Sequence, residues 1–196
     1  MAAKRIWLAR HGQSQSQTGE SHDHLDPPLS ELGILQAGRL VEPLRDLALD
    51  GILISPLRRA WHTYRLAQVR AGYVAFDSRL IESDWGHANR YAPILPQRTP
   101  DIALPDRHDA WLQPVRERAL SVVDDLARCN WQTVLLFGHW GVFNRIFQAF
   151  TGLDVDTKTV KATMDNAALS LLEIDDEQNR LVRYWNERAH VMDLLA

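Results

Sequence analysis

The sequence predicts an α/β protein, a three-layer α/β/α sandwich with a mainly parallel central sheet. Apolar runs of strand length alternate along the chain with segments whose apolar residues recur at helical spacing. The clearest pair is TVLLFG at 133–138, followed by WGVFNRIFQAFTG at 140–152. Because a helix between parallel strands crosses over a face of the sheet, this alternation predicts helices on both faces.

The first part of the chain supplies two strands and two helices. The predicted elements are a buried strand at 4–9, a polar and turn-rich loop at 10–28, a helix at 29–49, a strand at 50–56 and a helix at 57–72. Ser30 is the expected N-cap of the first helix, and Pro43 is expected to break or kink it. Gly72 is expected to end the second helix, because glycine readily adopts the left-handed conformation that follows helix C-termini.

The rest of the chain continues this pattern around one irregular, proline-rich segment. The predicted elements are a short strand with its exit at 73–80, a lid or insertion at about 83–109, a helix within 109–130, a strand at 133–138, a helix at 140–152 and a late pair of strands at 168–175 and 180–186. Internal repeats and linkers are absent from the sequence. A single domain over residues 1–196 is therefore expected.

The overall composition narrows the class of protein. The chain has 196 residues, a formal net charge of -3 and one cysteine. This charge gives no global attraction to nucleic acid or to an anionic membrane, and one cysteine excludes an intrachain disulfide. The apolar runs are too short for a signal peptide or a membrane span, so a cytoplasmic protein is expected. The oligomeric state is left open.

Two histidines directly follow buried strands. His11 stands in WLARHG and His139 in VLLFGHWG, and a glycine is close to each of them. The carboxyl ends of parallel strands meet at one edge of a sheet, where α/β proteins bind ligands. Gly12 and Gly141 allow close approach of the backbone, and the helices that follow bring positive potential suited to an anion.

Three further charged residues are expected at the same edge. Arg10 adjoins His11, Arg59 lies in the first turn after SPLRRA, and Glu82 follows the third strand. Guanidinium groups match phosphate oxygens, a neutral imidazole can attack phosphorus, and a carboxylic acid can protonate a leaving alkoxide. Together these residues predict phosphoryl transfer through a phosphohistidine, with no metal and no cofactor.

Four motifs carry a resemblance to a known family. They are RHG at 10–12, SPLRRAWHT at 55–63, LIE at 80–82 and GHWG at 138–141. In this order and spacing they resemble the histidine phosphatase superfamily, whose fold is phosphoglycerate mutase-like. The resemblance extends from residue 4 to about 174 and includes DPPLSELGILQA at 26–37.

The resemblance implies a role for each candidate residue. His11 would be the nucleophile that becomes phosphorylated. Glu82 would be the general acid, because the family's Leu-x-Glu pattern favours it over Asp84. The residues that would hold the phosphoryl oxygens are Arg10, Arg59, His139 and Gln17.

The chain departs from the family at three places. Gln17 stands where the family often has asparagine, HANR follows DWG in place of the usual Trp-Glu-Gly, and Trp61-His62 replaces a usual glutamate. The chemistry is unaffected, but the identity of the substrate is left open. A small phosphorylated metabolite and a phosphoprotein are both compatible with the sequence.

Plainer interpretations exist for single residues. Arg10 and His11 alone would suit an ion-paired strand end, and His139 alone would suit a buried core histidine. Glu82 could be an ordinary loop carboxylate. Arg58 competes with Arg59 for one role, although the motif places the functional arginine directly before Ala60.

The loop sequence SHDHLD offers a set of candidate metal ligands, which are His22, Asp23, His24 and Asp26. Two histidines at i and i+2 in a loop are weak ligands without a third partner of fixed geometry. A solvated loop or a substrate rim explains the segment better. We therefore predict no metal site.

Two other functions are compatible with the same fold. A mutase would have to keep water away from the phosphohistidine, and the short proline-rich insertion does not resemble the mutases' substrate-binding segment. A non-catalytic phosphate-ligand-binding protein would be expected to lack the nucleophile or a phosphate-holding arginine, and both are present. The expected function is therefore that of a phosphoric monoester hydrolase of the histidine acid phosphatase type.

Overall fold

The structure, a computed structural model, describes residues 3–23, 25–83, 113–154 and 160–195. Its strands are β1 (Lys4–Arg10), β2 (Gly51–Ile54), β3 (Tyr73–Phe76), β4 (Thr133–Gly138), β5 (Leu169–Ile174) and β6 (Arg180–Glu187). Its helices are α1 (Gln15–Thr18), α2 (Glu31–Arg39), α3 (Val41–Leu44), α4 (Arg58–Ala67), α5 (Val115–Arg128) and α6 (Trp140–Thr151). Short 3-10 helices are formed by Ser78–Leu80 and Ala189–Leu194.

The six strands form one sheet in the order β3-β2-β4-β1-β5-β6. The first four strands in this order are parallel to one another, whereas β5 is antiparallel to both β1 and β6. The register of β1 and β4 pairs Arg10 with Gly138. The residues that follow, His11 and His139, therefore leave the sheet next to each other. The predicted fold class, with its mainly parallel sheet, is confirmed.

Helices cover both faces of the sheet and enclose two hydrophobic cores. On one face α5 and α6 contribute side chains such as Val122 and Phe143. On the other face the contributions include Leu40 and Leu44, from the segment of α2 and α3. Because successive strand residues point to opposite faces, β4 supplies Leu136 to the first core and Phe137 to the second.

The long first helix of the prediction is two shorter helices. Ser30 is the N-cap as predicted, and its hydroxyl oxygen accepts a hydrogen bond of 3.1 Å from the amide of Gly33. The interruption comes earlier than predicted, because α2 ends at Arg39 and α3 begins at Val41. Proline has no amide hydrogen, so position 43 cannot donate to the carbonyl four residues earlier and the helical ladder stops there.

Two other boundaries differ from the prediction. The end of α4 lies at Ala67 and not at Gly72, because Gln68 itself adopts the left-handed conformation with a φ of 53°. The predicted loop at 10–28 contains the one-turn helix α1. Its start is closed by Gln17, whose Oε1 accepts hydrogen bonds from the amide and the hydroxyl of Ser14 at 2.9 and 3.1 Å. Hydrophobic spacing does not report either of these local features.

The loop after β1 packs directly against α2 through its backbone. A Cβ atom on Gly12 would lie 2.3 Å from the carbonyl oxygen of Gly33, and one on Gly33 would lie 1.9 Å from that of Gln13. Any side chain at either glycine would force the loop and the helix apart. This contact therefore fixes the loop that carries His11.

Part of the predicted insertion, residues 84–109, lies outside the described residues, and Asp84 lies there as well. The extent of the insertion and the single domain stay predictions. Among the helices of the described segments, none combines the length and the apolar character needed to cross a bilayer.

Candidate active site

His11 lies at the carboxyl end of β1 and is 3% exposed. Its Nδ1 lies 2.7 Å from the carbonyl oxygen of Gly12. A carbonyl oxygen only accepts hydrogen bonds, so Nδ1 carries the proton and Nε2 keeps its lone pair. The amide of His11 donates to the carbonyl of Gly138 at 3.0 Å, which ties the residue to the end of β4. The ring is thus held as the tautomer that a nucleophile requires.

Two guanidinium groups stand beside this ring. The Nε of Arg59 donates to Nε2 of His11 at 3.3 Å, and one of its terminal nitrogens donates to the carbonyl of Leu25 at 3.3 Å. Arg10 donates to the carbonyl of Met164, and its Nε is buried with no hydrogen-bond partner among the described residues. Both arginines are therefore oriented by backbone carbonyls next to His11.

His139 follows β4 and is the N-cap residue of α6. Its ring is fully buried, and its centroid lies 5.0 Å from that of His11. The Nε2 of His139 is 2.8 Å from the hydroxyl oxygen of Ser55, while its Nδ1 is buried without a partner in the described part of the chain. When the Ser55 hydroxyl donates to Nε2, Nδ1 carries a proton that is available to an oxyanion.

Burial, together with nearby positive charge, favours the neutral form of both imidazoles. Burial lowers the pKa of His11 well below its ordinary value, and the charges of Arg59 and Arg10 lower it further. The pKa of His139 is also well below its ordinary value, first because of burial and then because of nearby positive groups. A nucleophile must be unprotonated, so these shifts make His11 competent at neutral and mildly acidic pH.

Glu82 lies beside the first turn of α6. A Cβ atom on Gly141 would lie 2.4 Å from Oε1 of Glu82 and 2.1 Å from Oγ of Ser83. The carboxylate also lies near Arg10: burial lowers the pKa of that guanidinium, and the charge of Glu82 opposes the decrease. The absence of a side chain at Gly141 therefore leaves room for the carboxylate beside the start of α6.

Gln17, the remaining candidate, is exposed at the end of α1. Its Nε2 donates to Oδ1 of Asn166 at 3.0 Å, and Nδ2 of Asn166 donates back to Oε1 of Gln17 at 3.2 Å. This amide pair uses one of the two hydrogens on Nε2. The second hydrogen is the one that could reach a phosphoryl oxygen.

Other residues at the site received no role from the sequence. Ser55 and Thr63 belong to the SPLRRAWHT motif; Thr63 accepts a hydrogen bond of 3.1 Å from the amide of Gly12. Asn166 donates to the carbonyl of His11 at 3.1 Å and precedes β5, where no motif marks it. The motif could have pointed to Ser55 and Thr63, whereas Asn166 is brought to the site only by the antiparallel pairing of β5 with β1.

The family assignment rests on a comparison with known protein families. The description "Histidine phosphatase superfamily (branch 1)" matches residues 6–187. The chain belongs to this superfamily. This histidine phosphatase is 26% identical to phosphoserine phosphatase 1 of Hydrogenobacter thermophilus, over 91% of its own length and 90% of that protein. It is 30% identical to glucosyl-3-phosphoglycerate phosphatase of Mycolicibacterium vanbaalenii, over 86% and 83% of the two chains.

A solved structure extends the comparison to three dimensions. The mycobacterial glucosyl-3-phosphoglycerate phosphatase in complex with VO3 superposes with a TM-score of 0.67 at 27% identity. The superposition covers 94% of this histidine phosphatase and 99% of the other chain. The resemblance inferred from four short motifs is thereby confirmed for nearly the whole chain.

Arg58, the arginine next to Arg59, contacts the SHDHLD loop of this histidine phosphatase and not His11. Arg58 donates from its backbone amide to the carboxylate of Asp26 at 2.6 Å and from its guanidinium to the carbonyl of Asp26 at 2.6 Å. It also pairs with Asp23 at 3.5 Å. The two carboxylates of the SHDHLD loop thus bind α4, and His24 lies outside the described residues. Among the described side chains, no three metal-binding groups come together.

Proposed function

We propose that this histidine phosphatase hydrolyses phosphomonoesters of small metabolites through a phosphohistidine on His11. The observation that carries the proposal is the state of the His11 ring. Its Nδ1 donates to the Gly12 carbonyl, so Nε2 keeps its lone pair, which accepts a hydrogen bond from Nε of Arg59 and is proposed to turn to phosphorus when substrate binds. Membership of the superfamily and the phosphatase names of the relatives support the same class of hydrolase.

The reaction has two steps with one covalent intermediate. In the first step, Nε2 of His11 bonds to phosphorus and the bond to the ester oxygen breaks; that oxygen takes the electron pair and a proton from Glu82. In the second step, the Glu82 carboxylate removes a proton from water, and the water oxygen attacks phosphorus. The P–N bond then breaks and returns its electron pair to His11. The products are an alcohol and inorganic phosphate.

The phosphoryl oxygens are proposed to lie among Arg10, Arg59 and His139. The unpartnered nitrogens described above, Nε of Arg10 and Nδ1 of His139, supply donors of the required kind. The amide of Gln17 is proposed to add a weaker contact from the rim. Fixed positive groups in a buried site stabilise the charge on transferring phosphoryl oxygens. Because the side chains supply this charge, the activity is proposed to be independent of a metal ion.

The substrate class is proposed to be small phosphorylated alcohols. Relatives over most of the chain are named for phosphoserine and for glucosyl-3-phosphoglycerate, each of which is a small ester of that class. A third relative, from Escherichia coli, is named adenosylcobalamin/alpha-ribazole phosphatase. Metabolites of this kind are made and consumed inside cells, which supports a cytoplasmic enzyme.

A panel of phosphorylated metabolites tests the proposal. The purified chain should release inorganic phosphate from small phosphomonoesters, at an unchanged rate in the presence of a chelator. Rapid acid quenching is avoided, because a phosphohistidine is acid-labile; alkaline quenching should trap labelled phosphate on the protein. Isomer formation from a phosphoglycerate without phosphate release would establish a mutase instead. Tight binding with neither turnover nor a labelled protein would establish a binding protein.

Alanine at Gly141 should displace the general acid. The added Cβ would overlap Oε1 of Glu82, so we expect kcat/KM for an alkyl phosphate to fall by about 10–100-fold. The matched control is Gly38→Ala in α2, where an added Cβ meets nothing within 4 Å. That control should keep full activity and gain about 0.5–1 kcal/mol of stability. Equal activity of both variants would show that the position of Glu82 does not matter.

A further inference from the structure

A buried arginine lies outside the set of candidate residues. Arg118, on α5, is 1% exposed and is one of the largest fully buried side chains among the described residues. Neighbouring positions on the same helix, Arg116 and Glu117, are exposed. A charge withdrawn from water is costly unless hydrogen bonds compensate for it. The contacts of this guanidinium therefore indicate what it stabilises.

Three hydrogen bonds from Arg118 to described residues converge on one short segment. One terminal nitrogen donates to the carbonyls of Arg79 and Ile81 at 3.1 and 2.6 Å. The other donates, at 3.5 Å, to the carbonyl of Glu82 itself. All three acceptors belong to the four residues 79–82, so a single guanidinium holds the backbone that ends at the proposed general acid.

The start of the segment 79–82 is also held to α5, through the side chain of Arg79. The guanidinium of Arg79 contacts Asp77 and also donates to Ser121 at 3.0 Å and to Asp125 at 2.6 Å. This second arginine fixes the start of the segment through a side chain. Arg118 fixes its end through carbonyl oxygens, where Glu82 has a further hydrogen bond of 2.8 Å from the amide of Ser83 to its own Oε1.

We propose that Arg118 is a positioning residue for the general acid, acting through the backbone of residues 79–82. This inference rests on the proposed role of Glu82. Hydrogen bonds from a buried, charged donor are among the stronger ones, and they hold the segment on a rigid helix. Burial is the main cause of the lowered pKa of His139, and the charge of Arg118 makes a smaller contribution in the same direction.

The dependence of kcat/KM on the leaving group distinguishes a displaced general acid from a general loss of active-site structure. Protonation by Glu82 matters for an alkyl phosphate, whose leaving alkoxide is strongly basic, and hardly matters for dinitrophenyl phosphate, whose leaving group needs no proton. The experiment measures kcat/KM for both substrates in the wild type and in Arg118→Lys, Glu82→Gln and the double variant. Val123→Ala, a buried position on the same helix, is the control for loss of packing.

The expected pattern is specific. In Arg118→Lys, kcat/KM should fall by about 10–100-fold for the alkyl phosphate and by less than about threefold for dinitrophenyl phosphate. Val123→Ala should affect both substrates by the same factor. Because Arg118 acts through Glu82, the double variant should be no more than about threefold worse than Glu82→Gln alone.

Three results would overturn the proposal, and they are distinguishable. Equal losses on the two substrates would make Arg118 a structural residue only. If the losses of kcat/KM from the two single variants multiply in the double variant, Arg118 acts on a group other than Glu82, such as His139. If Glu82→Gln itself retains full activity on the alkyl phosphate, the proposed role of Glu82 fails and the role of Arg118 fails with it. Arg118→Gln, which removes the buried charge but keeps an amide donor, repeats the comparison if the lysine variant does not fold.

Discussion

Replacing His11 with alanine should reduce kcat for any phosphomonoester by about 10⁴-fold or more. Nε2 of His11 is the proposed attacking atom, and the other groups of the site have no lone pair held in the same place. The labelled phosphoprotein trapped after alkaline quenching should disappear at the same time. Phosphate release and protein-bound label, measured on the same samples, check both expectations.

The binding of phosphate itself should survive this replacement. Arg59, Arg10 and His139 remain in His11→Ala, so inorganic phosphate should still raise the Tm of the variant. An increase in Tm with phosphate would show that the variant is folded and lacks only the proposed nucleophile. His22→Ala, at an exposed position of the SHDHLD loop, serves as the control and should keep the wild-type rate. A His11→Ala protein with most of its activity would contradict the phosphohistidine mechanism.

Replacing Arg59 with glutamine should have the second-largest effect, a loss of about 10²–10³-fold in kcat/KM. The guanidinium of Arg59 contacts His11, the proposed nucleophile, and is proposed to hold a phosphoryl oxygen. Its removal takes away charge stabilisation in the transition state and one of the groups that orient His11. Rates at saturating and at limiting substrate concentration give the two kinetic constants.

In Arg59→Gln, the pH profile of kcat/KM should also shift, with its acid limb at higher pH than in the wild type. The pKa of His11 is low because of burial and then because of the charges of Arg59 and Arg10. Removing one of these charges raises that pKa, so more of the nucleophile is protonated at a given acidic pH. The acid limb of kcat/KM, which reports the free enzyme, should therefore shift to higher pH.

Arg58→Gln is the matched control for this second prediction. Arg58 precedes Arg59 in the same motif but binds the loop at Asp26 and Asp23. Its loss should change kcat/KM by less than about fivefold and should leave the acid limb in place. A large effect at Arg58 with a small one at Arg59 would reverse the assignment of the two arginines.

Local signals were sufficient to predict most of the framework of the site. The runs before His11 and His139 are apolar, short and followed by glycine, which is how a buried strand ends at a functional turn. Parallel strands then bring their ends together, as the pairing of Arg10 with Gly138 does here. The predicted strand at 133–138 agrees with β4 at both ends.

Two of the features that sequence reasoning missed depend on long-range contacts. Arg118 stands in VRERAL, where alternation of charges suggests a solvated helix face, and only packing of α5 against the acid segment buries it. Asn166 lies more than 150 positions from His11 along the chain, and its hydrogen bond to that residue follows from the placement of β5. The left-handed Gln68 likewise has no signature in hydrophobic spacing.

Because of the antiparallel direction of β5, we expect the last part of the chain to be needed for activity. Because that strand runs against its neighbour, its starting end lies at the catalytic edge, and the stretch leading into it provides the Met164 carbonyl and the Asn166 amide. A fragment cut before Val160 would contain every side chain given a chemical role. It would nevertheless lack the two groups that orient Arg10 and hold the backbone of His11.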